Sequence, residues 1–325
     1  MSRVLVTGAG GFIAWHLCKR LKEEGHFVRG VDSKRPEFES DPLICDEFHL
    51  RDLRYPTEAS NALRAVEPFD TVFNLAADMG GIGFISGNRA TIARNNTLIN
   101  LSMLDAARQH AVSHYIYSSS ACAYRVDQQE DPDSTALKED SAWPANPEPG
   151  YGLEKLYAEK LCEYYREEFS LNTQIIRFHN VAGPVGSFKG GREKAPAAAC
   201  RKVIEASNYG SIEVWGDGQQ SRSFMYVDDC VEGLLRLWEN GYEKPINLGT
   251  SEAITIQRLH ELAIAISGKK LSLCYDLTKP QGVRGRNSDN TLIKSVLGWE
   301  PSTPVEQWLP KTYRWIEQQI RNGQH

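Results

Sequence analysis

Residues 3–14 read RVLVTGAGGFIA, a short apolar run that leads directly into a glycine-rich turn. Apolar residues then recur at helical spacing through residues 15–21, so the pattern predicts a strand, a tight turn and a helix. Glycines in such a turn let the backbone approach a pyrophosphate at the helix N-terminus, where unpaired amides attract anions. Taken alone, the turn is as typical of a plain strand–turn–helix unit. The residues that would contact a dinucleotide here are Gly8, Gly11, Phe12 and Ile13.

The next strand-like run, residues 27–32, ends in an acidic residue, Asp32. A dinucleotide-binding fold places a carboxylate about twenty residues after its glycines, where it bonds the adenosine ribose hydroxyls. Lys34 and Arg35 could instead accept the 2′-phosphate of NADP, but Asp32 would repel that phosphate at closer range. NAD is therefore the expected cofactor.

Two later segments extend this expected cofactor site. Asp52 follows a run at 47–50, where such folds often contact adenine, although an exposed loop aspartate is a plain alternative. Residues 69–77 predict a buried strand that ends in small residues, among them Ala76, which would let a cofactor pass close to the backbone. A glycine-containing lip at 78–81 follows.

Strand and helix patterns continue to alternate, with a helix predicted over 89–109 that could pack on the sheet or on another subunit. This alternation predicts an α/β fold with a doubly wound parallel sheet of the Rossmann type. Further along the chain, the pattern predicts a strand-like run at 115–122, a helix at 151–169 and a strand at 173–178. An acidic, proline-rich loop at 128–149 is expected at the surface, where it could form a substrate rim. A strand–helix–strand unit over 224–249 is expected to return to the main sheet, and a terminal helix at 305–319 to place Trp308 and Trp315 in the core.

After residue 180 the strand and helix patterns give way to a loop rich in glycine and basic residues, which predicts a second, discontinuous lobe. We predict an NAD-binding Rossmann domain from 1–180 plus about 224–250, and a smaller substrate-binding lobe from about 181–223 and 251–325. Glycine-rich loops at 183–194, 216–222 and 282–286 carry several arginines and lysines, which suit a diphosphate. Each loop alone is as typical of solvated surface.

Tyr151 and Lys155 lie one helical turn apart, so their side chains point the same way from one helix. A cation beside a phenol lowers the pKa of the phenol, and we therefore expect Tyr151 to act as a general base on a substrate hydroxyl. Ser120, at the end of the strand before it, can hydrogen-bond the phenol. Tyrosine and lysine four residues apart are also common on solvated helices.

Composition narrows the class of protein. The chain has 325 residues and a net charge of −5 with both signs interspersed, so no basic stripe suggests a nucleic-acid or membrane partner. The start of the chain leaves no room for a signal peptide before the first strand, and we expect a cytoplasmic protein. Seven scattered cysteines without a C-x-x-C pair support neither a disulfide framework nor a metal site.

These features together resemble the extended short-chain dehydrogenase/reductase family of nucleotide-sugar epimerases and dehydratases, over nearly the whole chain. Strings at 74–81, 119–122, 190–198 and 282–290 resemble the branch of that family that epimerises GDP-mannose at C3 and C5. The resemblance implies bound NAD, a nucleotide-sugar in the C-terminal lobe, and a homodimer. Departures from the family pattern are Ala14 in place of the last glycine, Arg94 in place of an aromatic residue, and Arg125 in place of proline.

The resemblance also implies a role for individual residues. The catalytic set is Tyr151 and Lys155 for oxidation, Ser120 as their partner, and Cys122 and Lys194 for proton transfer. The implied substrate contacts, besides Ser120, Cys122 and Lys194, are Gly80, Ala121, Asn180, Glu193, Ala195, Lys202, Gln220, Ser221, Arg222, Arg284 and Arg286.

A pair such as Cys122 and Lys194 suits epimerisation. A ketone at C4 acidifies both neighbouring carbons, and an acid and a base that titrate near neutral pH can then exchange protons there. We expect the pKa of Lys194 to be lowered by Arg192 or by burial. The dehydratase branch of the family tends to have Asp-Glu where this chain has Ala121 and Cys122, so the resemblance argues against 4,6-dehydration. The alternatives are an NAD-dependent epimerase or dehydratase for another nucleotide-sugar, and a non-catalytic NAD-binding sensor.

Overall fold

A computed structural model describes residues 1–38, 44–134 and 136–323. The strands in this part of the chain are β1 (Arg3–Thr7), β2 (Phe27–Asp32), β3 (Glu47–Leu50), β4 (Thr71–Asn74), β5 (His114–Ser120), β6 (Thr173–Phe178), β7 (Asn180–Ala182), β8 (Ser211–Trp215), β9 (Ser221–Tyr226), β10 (Ile246–Leu248), β11 (Ala253–Thr255), β12 (Ser272–Asp276) and β13 (Gly285–Arg286). The helices are α1 (Phe12–Glu23), α2 (Pro56–Leu63), α3 (Ile82–Gly87), α4 (Arg89–Gln109), α5 (Tyr151–Phe169), α6 (Ala195–Glu205), α7 (Val227–Asn240), α8 (Ile256–Ser267), α9 (Thr291–Leu297) and α10 (Val305–Arg321).

Seven parallel strands form the main sheet in the order β10-β6-β5-β4-β1-β2-β3. The chain runs outward from β1 in one direction through β2 and β3, and in the other through β4, β5 and β6. Ligands of such sheets bind beyond the carboxyl ends of the strands at this change of direction. The predicted doubly wound Rossmann sheet is confirmed, and its crevice opens between β1 and β4.

Helices cover both faces of this sheet, which explains the nearly continuous apolar run of β1. Val4 and Val6 pack into the core on one face, whereas Leu5 packs into the core on the other. All three side chains are fully buried. An interior position for β1 places the glycine turn that follows it in the middle of the crevice.

A second, four-stranded sheet contains β7, β9, β11 and β13, and β8 pairs with β12 in a third. The expectation that residues 224–226 belong to the main sheet is wrong, because β9 pairs with β7, β11 and β13 instead. The return to the main sheet is made by β10, which pairs with β6. The exact division of the chain into two domains stays a prediction.

Other expectations differ from the structure in detail. The strand predicted over 69–77 ends at Asn74, because the amides of Leu75 and Ala76 donate to the Thr7 hydroxyl instead of to a neighbouring strand. The run at 115–122 leaves the sheet after Ser120 and continues as a short 3₁₀ helix, Ala121–Ala123. The loop at 128–149 is only partly surface, since Gln129, Leu137 and Ala142 are buried.

The expected packing of the two tryptophans in the terminal helix is confirmed. Trp308 is fully buried, and Trp315 packs against Phe38 and Phe188. Five of the seven cysteines are buried, all seven are free thiols, and Cys122 is half-buried. Among the described residues, no group of His, Cys, Asp or Glu could hold a metal ion. Nor is any helix in the described ranges long and apolar enough to cross a membrane.

Candidate active site

The turn after β1 has room only for glycine at positions 8 and 10. Gly8 has φ +73°, and a Cβ added there would lie 3.0 Å from the amide nitrogen of Ala76. A Cβ on Gly10 would lie 2.3 Å from the carbonyl oxygen of Lys34. Helix α1 begins at Phe12, so the amides of Phe12 and Ile13 lie in its first turn without an intrahelical acceptor. This compact turn fits a pyrophosphate.

Asp32 lies directly beside the turn, since its Oδ2 accepts a hydrogen bond from the Gly10 amide at 3.0 Å. Its Oδ1 accepts from the Lys34 amide at 3.1 Å. The two nearby cations do not form a free phosphate pocket, because Lys34 lies 3.9 Å from Glu37 and the Arg35 guanidinium stacks on Phe48 at 5.6 Å. A carboxylate at the turn and paired cations next to it fit NAD better than NADP.

A small cavity of about 40 Å³ opens at the same place, lined by residues that include Gly10, Gly11, Phe12, Trp15 and Val185. The crevice is closed on its other side by Ala76, whose amide donates to the Thr7 hydroxyl oxygen at 3.0 Å. The predicted cofactor residues Gly8, Gly11, Phe12, Ile13, Asp32 and Ala76 therefore surround one crevice. Their contacts with the cofactor stay predictions.

The carboxylate of Asp52 pairs with the nearby guanidinium of Arg54. Arg54 donates to both of its carboxylate oxygens and lowers the pKa of Asp52, while also reaching Oδ1 of Asn95 at 3.3 Å. This pair connects the loop after β3 to α4. The predicted adenine contact of Asp52 is not tested by this arrangement and stays a prediction.

Tyr151 and Lys155 stand in the first two turns of α5, and both are buried. Lys155 does not point its ammonium at the phenol oxygen: Nζ donates to the carbonyl oxygen of Ser118 at 2.8 Å and lies 5.7 Å from the Tyr151 ring centroid. Ser120 lies nearby, and its hydroxyl oxygen accepts a hydrogen bond from the amide of Cys122 at 3.1 Å. Strand β5 and helix α5 thus bring the predicted trio together.

The expected pKa of Tyr151 is wrong for this structure. Burial, more than any other effect, raises the pKa of the Tyr151 phenol above its ordinary value, and the nearby Cys122 and Glu154 raise it further. The hydroxyl of Ser120 opposes this rise. Burial also lowers the pKa of Lys155. On balance, the residues around Tyr151 therefore raise the pKa of its phenol.

Cys122 has a neighbour that the sequence alone did not connect to it. Nη1 of Arg286 donates to the Cys122 sulfur at 3.3 Å, and Nη2 of the same guanidinium pairs with Oε1 of Glu148 at 2.7 Å. Nε donates to Oε1 of the buried Gln129 at 2.6 Å. Arg286, predicted to bind the diphosphate, is engaged here with the proposed reaction centre. No local sequence signal relates residues 122, 129, 148 and 286.

Lys194 stands immediately before α6, whose first residue is Ala195. Burial lowers the pKa of Lys194, and the charge of Arg286 lowers it further, whereas Cys122 raises it. The expected contribution of Arg192 is wrong, because that guanidinium donates to Asp78 at 3.1 Å and stacks on Phe84 at 3.8 Å. A lysine that releases its proton more easily than usual is suited to proton transfer.

The glycine-containing lip at 78–81 packs against the loop that carries Lys194. The amide of Gly81 donates to the carbonyl oxygen of Arg192 at 3.2 Å. A Cβ on Gly81 would lie 2.7 Å from the carbonyl oxygen of Glu193, so only glycine allows this approach. Gly80 is buried against Phe84. The lip holds the loop of Glu193 and Lys194 close to the crevice.

The two arginines expected at a diphosphate differ in their partners. Arg284 forms a two-pronged pair with Asp217, with Nη2 and Oδ2 2.9 Å apart. Arg222 donates instead to backbone carbonyl oxygens, including that of Ser221 at 2.7 Å, and forms no ion pair with a carboxylate of the described chain. Burial, followed by the charge of Arg286, lowers the pKa of Arg222 to about 9. Its uncompensated charge makes it the better anion site.

Gln220 and Lys202, two more of the predicted substrate residues, lie beside Trp215. Nε2 of Gln220 donates to the carbonyl oxygen of Trp215 at 2.9 Å, while its Oε1 is buried without a partner. Trp215, which no pattern in the sequence distinguishes, is 38% exposed, and the ammonium groups of Lys202 and Lys279 each lie 5.9 Å from its ring centroid. This arrangement offers an aromatic face with positive charge, suited to a nucleotide base.

Two other residues predicted to contact the substrate, Ser221 and Asn180, form hydrogen bonds within the protein. Ser221 donates to the carbonyl oxygen of Pro132, and Asn180 donates to that of Ser223 at 3.1 Å. Ala121 is buried in the 3₁₀ helix beside Cys122. A larger cavity of about 520 Å³ is lined by residues of α3 and by Gln129, Glu148 and Arg284. Its size suits a ligand such as a sugar.

The chain resembles known proteins along nearly its whole length. The sequence profile described as "NAD dependent epimerase/dehydratase family" matches residues 4–249. A GDP-mannose 3,5-epimerase from Arabidopsis thaliana is 48% identical over 318 residues, which cover 98% of this chain and 83% of that protein. A UDP-glucose 4-epimerase from Thermotoga maritima, solved with UDP-glucose, superposes with a TM-score of 0.87 at 26% identity, covering 98% of this chain and 99% of that one.

A further solved structure supports the assignment of the cofactor. MoeE5 in complex with UDP-glucose and NAD is 25% identical, with a TM-score of 0.82, and the match covers 98% of this chain and 99% of that chain. The predicted family and the predicted cofactor, NAD, are therefore confirmed. The chain belongs to the NAD dependent epimerase/dehydratase family.

Proposed function

We propose that this protein is an isomerase that epimerises GDP-mannose at C3 and C5, yielding GDP-L-galactose with GDP-L-gulose as a possible 5-epimer by-product. The observation that carries the proposal is the cluster of a half-buried thiol, Cys122, and a lysine of lowered pKa, Lys194, beside Tyr151. The 48% identity to a GDP-mannose 3,5-epimerase over 98% of the chain supports the substrate.

The chemistry follows from the weak acidity of an unactivated sugar C–H bond. Bound NAD would supply the hydride acceptor for C4, and the positive charge of its oxidised ring would favour the phenolate of Tyr151. In its phenolate form, Tyr151 takes the proton of the C4 hydroxyl, and Ser120 and Lys155 hold the phenol and the strand end around it. With a ketone at C4, the protons at C3 and C5 become exchangeable through an enolate. Cys122 and Lys194 then give and accept protons at these carbons.

The nucleotide half of the substrate finds complementary groups in the second lobe. Arg222 supplies an uncompensated positive charge for the diphosphate, with Asn180, Gln220, Ser221 and Lys202 around it. Trp215 offers a partly exposed aromatic face for the base. Glu193, Ala195, Ala121 and Gly80 belong to the segments that enclose the sugar.

We propose a homodimer formed through helix α5. Leu153, Tyr157 and Tyr164 recur at helical spacing on this helix and are 55%, 49% and 53% exposed. An apolar stripe of this kind on a surface helix is typical of an interface.

We also place the protein in the cytoplasm, where its seven free thiols would stay reduced.

The test is incubation of the purified protein with GDP-mannose in D₂O, followed by NMR of the sugar. Deuterium at both C3 and C5, together with new epimers, is the expected result. An enzyme for another nucleotide-sugar would incorporate none from GDP-mannose but would turn over a member of a UDP- or dTDP-sugar panel. An NAD-binding sensor would fail across the panel and bind no nucleotide-sugar.

A further inference from the structure

Glu148 stands three residues before Tyr151, and nothing in the sequence pattern gives it a role. In the structure its side chain is only 15% exposed, and that of its partner Arg286 is 7% exposed. Oε1 of Glu148 accepts from Nη2 of Arg286 at 2.7 Å, while Nη1 of the same guanidinium donates to the Cys122 sulfur at 3.3 Å. One buried guanidinium therefore links a carboxylate to the thiol.

The backbone around Glu148 has little freedom to move away from Cys122. A Cβ on Gly152 would lie 2.1 Å from the carbonyl oxygen of Cys122 and 3.2 Å from Cβ of Glu148. Gly150 has φ +84° and approaches Arg89 closely. The segment at 148–152 is thus packed directly on the 3₁₀ helix of Cys122. The guanidinium is held from a third side by Gln129.

We propose that Glu148 is a positioning residue of the reaction centre, which acts through Arg286 to keep the Cys122 thiol protonated at neutral pH. This inference rests on the proposed function, in which Cys122 transfers protons. A guanidinium that donates to sulfur stabilises the thiolate, whereas a carboxylate paired with that guanidinium offsets its charge. Without Glu148, Cys122 would face an unbalanced cation.

The charges around Cys122 agree with this role. Burial raises the pKa of the Cys122 thiol most, and Glu148 raises it next, whereas Arg286, Ser120 and Lys194 lower it. Glu148 is therefore the carboxylate that opposes the surrounding cations. The titratable and charged groups facing the thiol are Glu148, Arg286, Lys194, Tyr151, Lys155 and Arg222.

The experiment measures the pH dependence of iodoacetamide alkylation at Cys122 in the NAD-loaded enzyme, by mass spectrometry of the peptide that contains it. In Glu148→Gln the profile should shift to lower pH by about one unit or more. Glu148→Asp keeps the charge and should retain a profile close to that of the wild type. Glu148→Ala, a second variant that lacks the carboxylate, should shift in the same direction as Glu148→Gln.

Asp217→Asn is the matched control, because it removes the carboxylate from the neighbouring Arg284 and should leave the Cys122 profile unchanged. An unshifted profile in folded Glu148→Gln and Glu148→Ala would overturn the proposal. If the folded protein shows no epimerase activity, the proposed function is rejected, but the alkylation profiles still show whether Glu148 acts on Cys122. Active enzyme with an unshifted thiol would reject only the role of Glu148.

Discussion

Lys155 and Tyr151 lie one turn apart on α5, yet the ammonium of Lys155 donates to the carbonyl oxygen of Ser118 at 2.8 Å, and its nitrogen lies 5.7 Å from the Tyr151 ring centroid. The lysine therefore ties the helix to the end of β5. Burial meanwhile raises the pKa of the phenol. What this arrangement provides is a fixed position for the phenol oxygen beside Ser120.

Replacing Tyr151 with phenylalanine should remove turnover while retaining substrate binding. In the proposed mechanism the hydroxyl exchanges a proton with the C4 oxygen, and loss of a general base typically costs about a hundredfold or more in rate. Turnover is measured by NMR with GDP-mannose, and binding by calorimetry. Tyr209→Phe, at a residue that is 75% exposed, is the control and should have wild-type kinetics. Full activity of Tyr151→Phe would reject this role.

Replacing Cys122 with alanine should block proton exchange at the sugar carbons but leave oxidation at C4 possible. Tyr151 and Lys155 do not depend on the thiol for their position, since α5 and the Ser118 carbonyl hold them. The measurement combines deuterium incorporation with the absorbance of reduced nicotinamide. Cys274→Ala, at the exposed cysteine, should behave as wild type. Normal exchange in Cys122→Ala would contradict the proposed mechanism.

Replacing Arg222 with methionine should weaken binding of GDP more than the same change at Arg284. Arg222 lacks a carboxylate partner among the described residues, whereas the charge of Arg284 is already balanced by Asp217. A lost charge-assisted contact of about 1.5–3 kcal/mol corresponds to a loss of about tenfold or more in affinity. Calorimetry with GDP makes the comparison. Equal losses in the two variants would contradict the distinction.

His179 should make the folded protein less stable in mild acid. Burial lowers the pKa of His179 to about 3 in the folded state, although a hydrogen bond with Asn247 opposes this. An unfolded chain takes up this proton at about pH 6.5, so stability is fully present above that pH and falls as pH drops towards about 3. The expected slope is up to about 1.4 kcal/mol per pH unit.

Urea unfolding at several pH values between neutral and mildly acidic measures this effect. The neutral variant His179→Gln should be less stable at neutral pH, because packing against Gly249 is disturbed. Its free energy of unfolding should nevertheless decline less steeply with acid than that of the wild type. Parallel pH profiles for the two proteins would show that His179 is not the responsible group.

Replacing both Leu153 and Tyr157 with glutamate should give a monomer. The two side chains are 55% and 49% exposed on one face of α5, and two carboxylates there would be desolvated in an interface. Light scattering after size-exclusion chromatography gives the mass. Leu277→Glu is the matched control, since this leucine is 67% exposed outside α5, and should stay dimeric. A dimer that survives the double change would place the interface elsewhere.

Much of the fold could be predicted from the sequence. Helix α5 and strand β6 have the predicted bounds, because periodicity and turn residues are local properties of the chain. Strand β9 could not be assigned to its sheet in this way. Its apolar residues suit either sheet, and only the pairing with β7, from residues 180–182, decides where it lies.

By itself, the sequence determined the doubly wound fold and the glycine turn with Asp32, and it predicted the main reactive groups. Tertiary structure alone decided which charges face those groups. Arg286 reaches Cys122 from 164 residues away in sequence and Glu148 from 138 residues away. Burial, which no local pattern measures, raises the pKa of Tyr151 and lowers that of Lys194. Local periodicity specifies elements, whereas desolvation and long-range charge pairing exist only after those elements have packed.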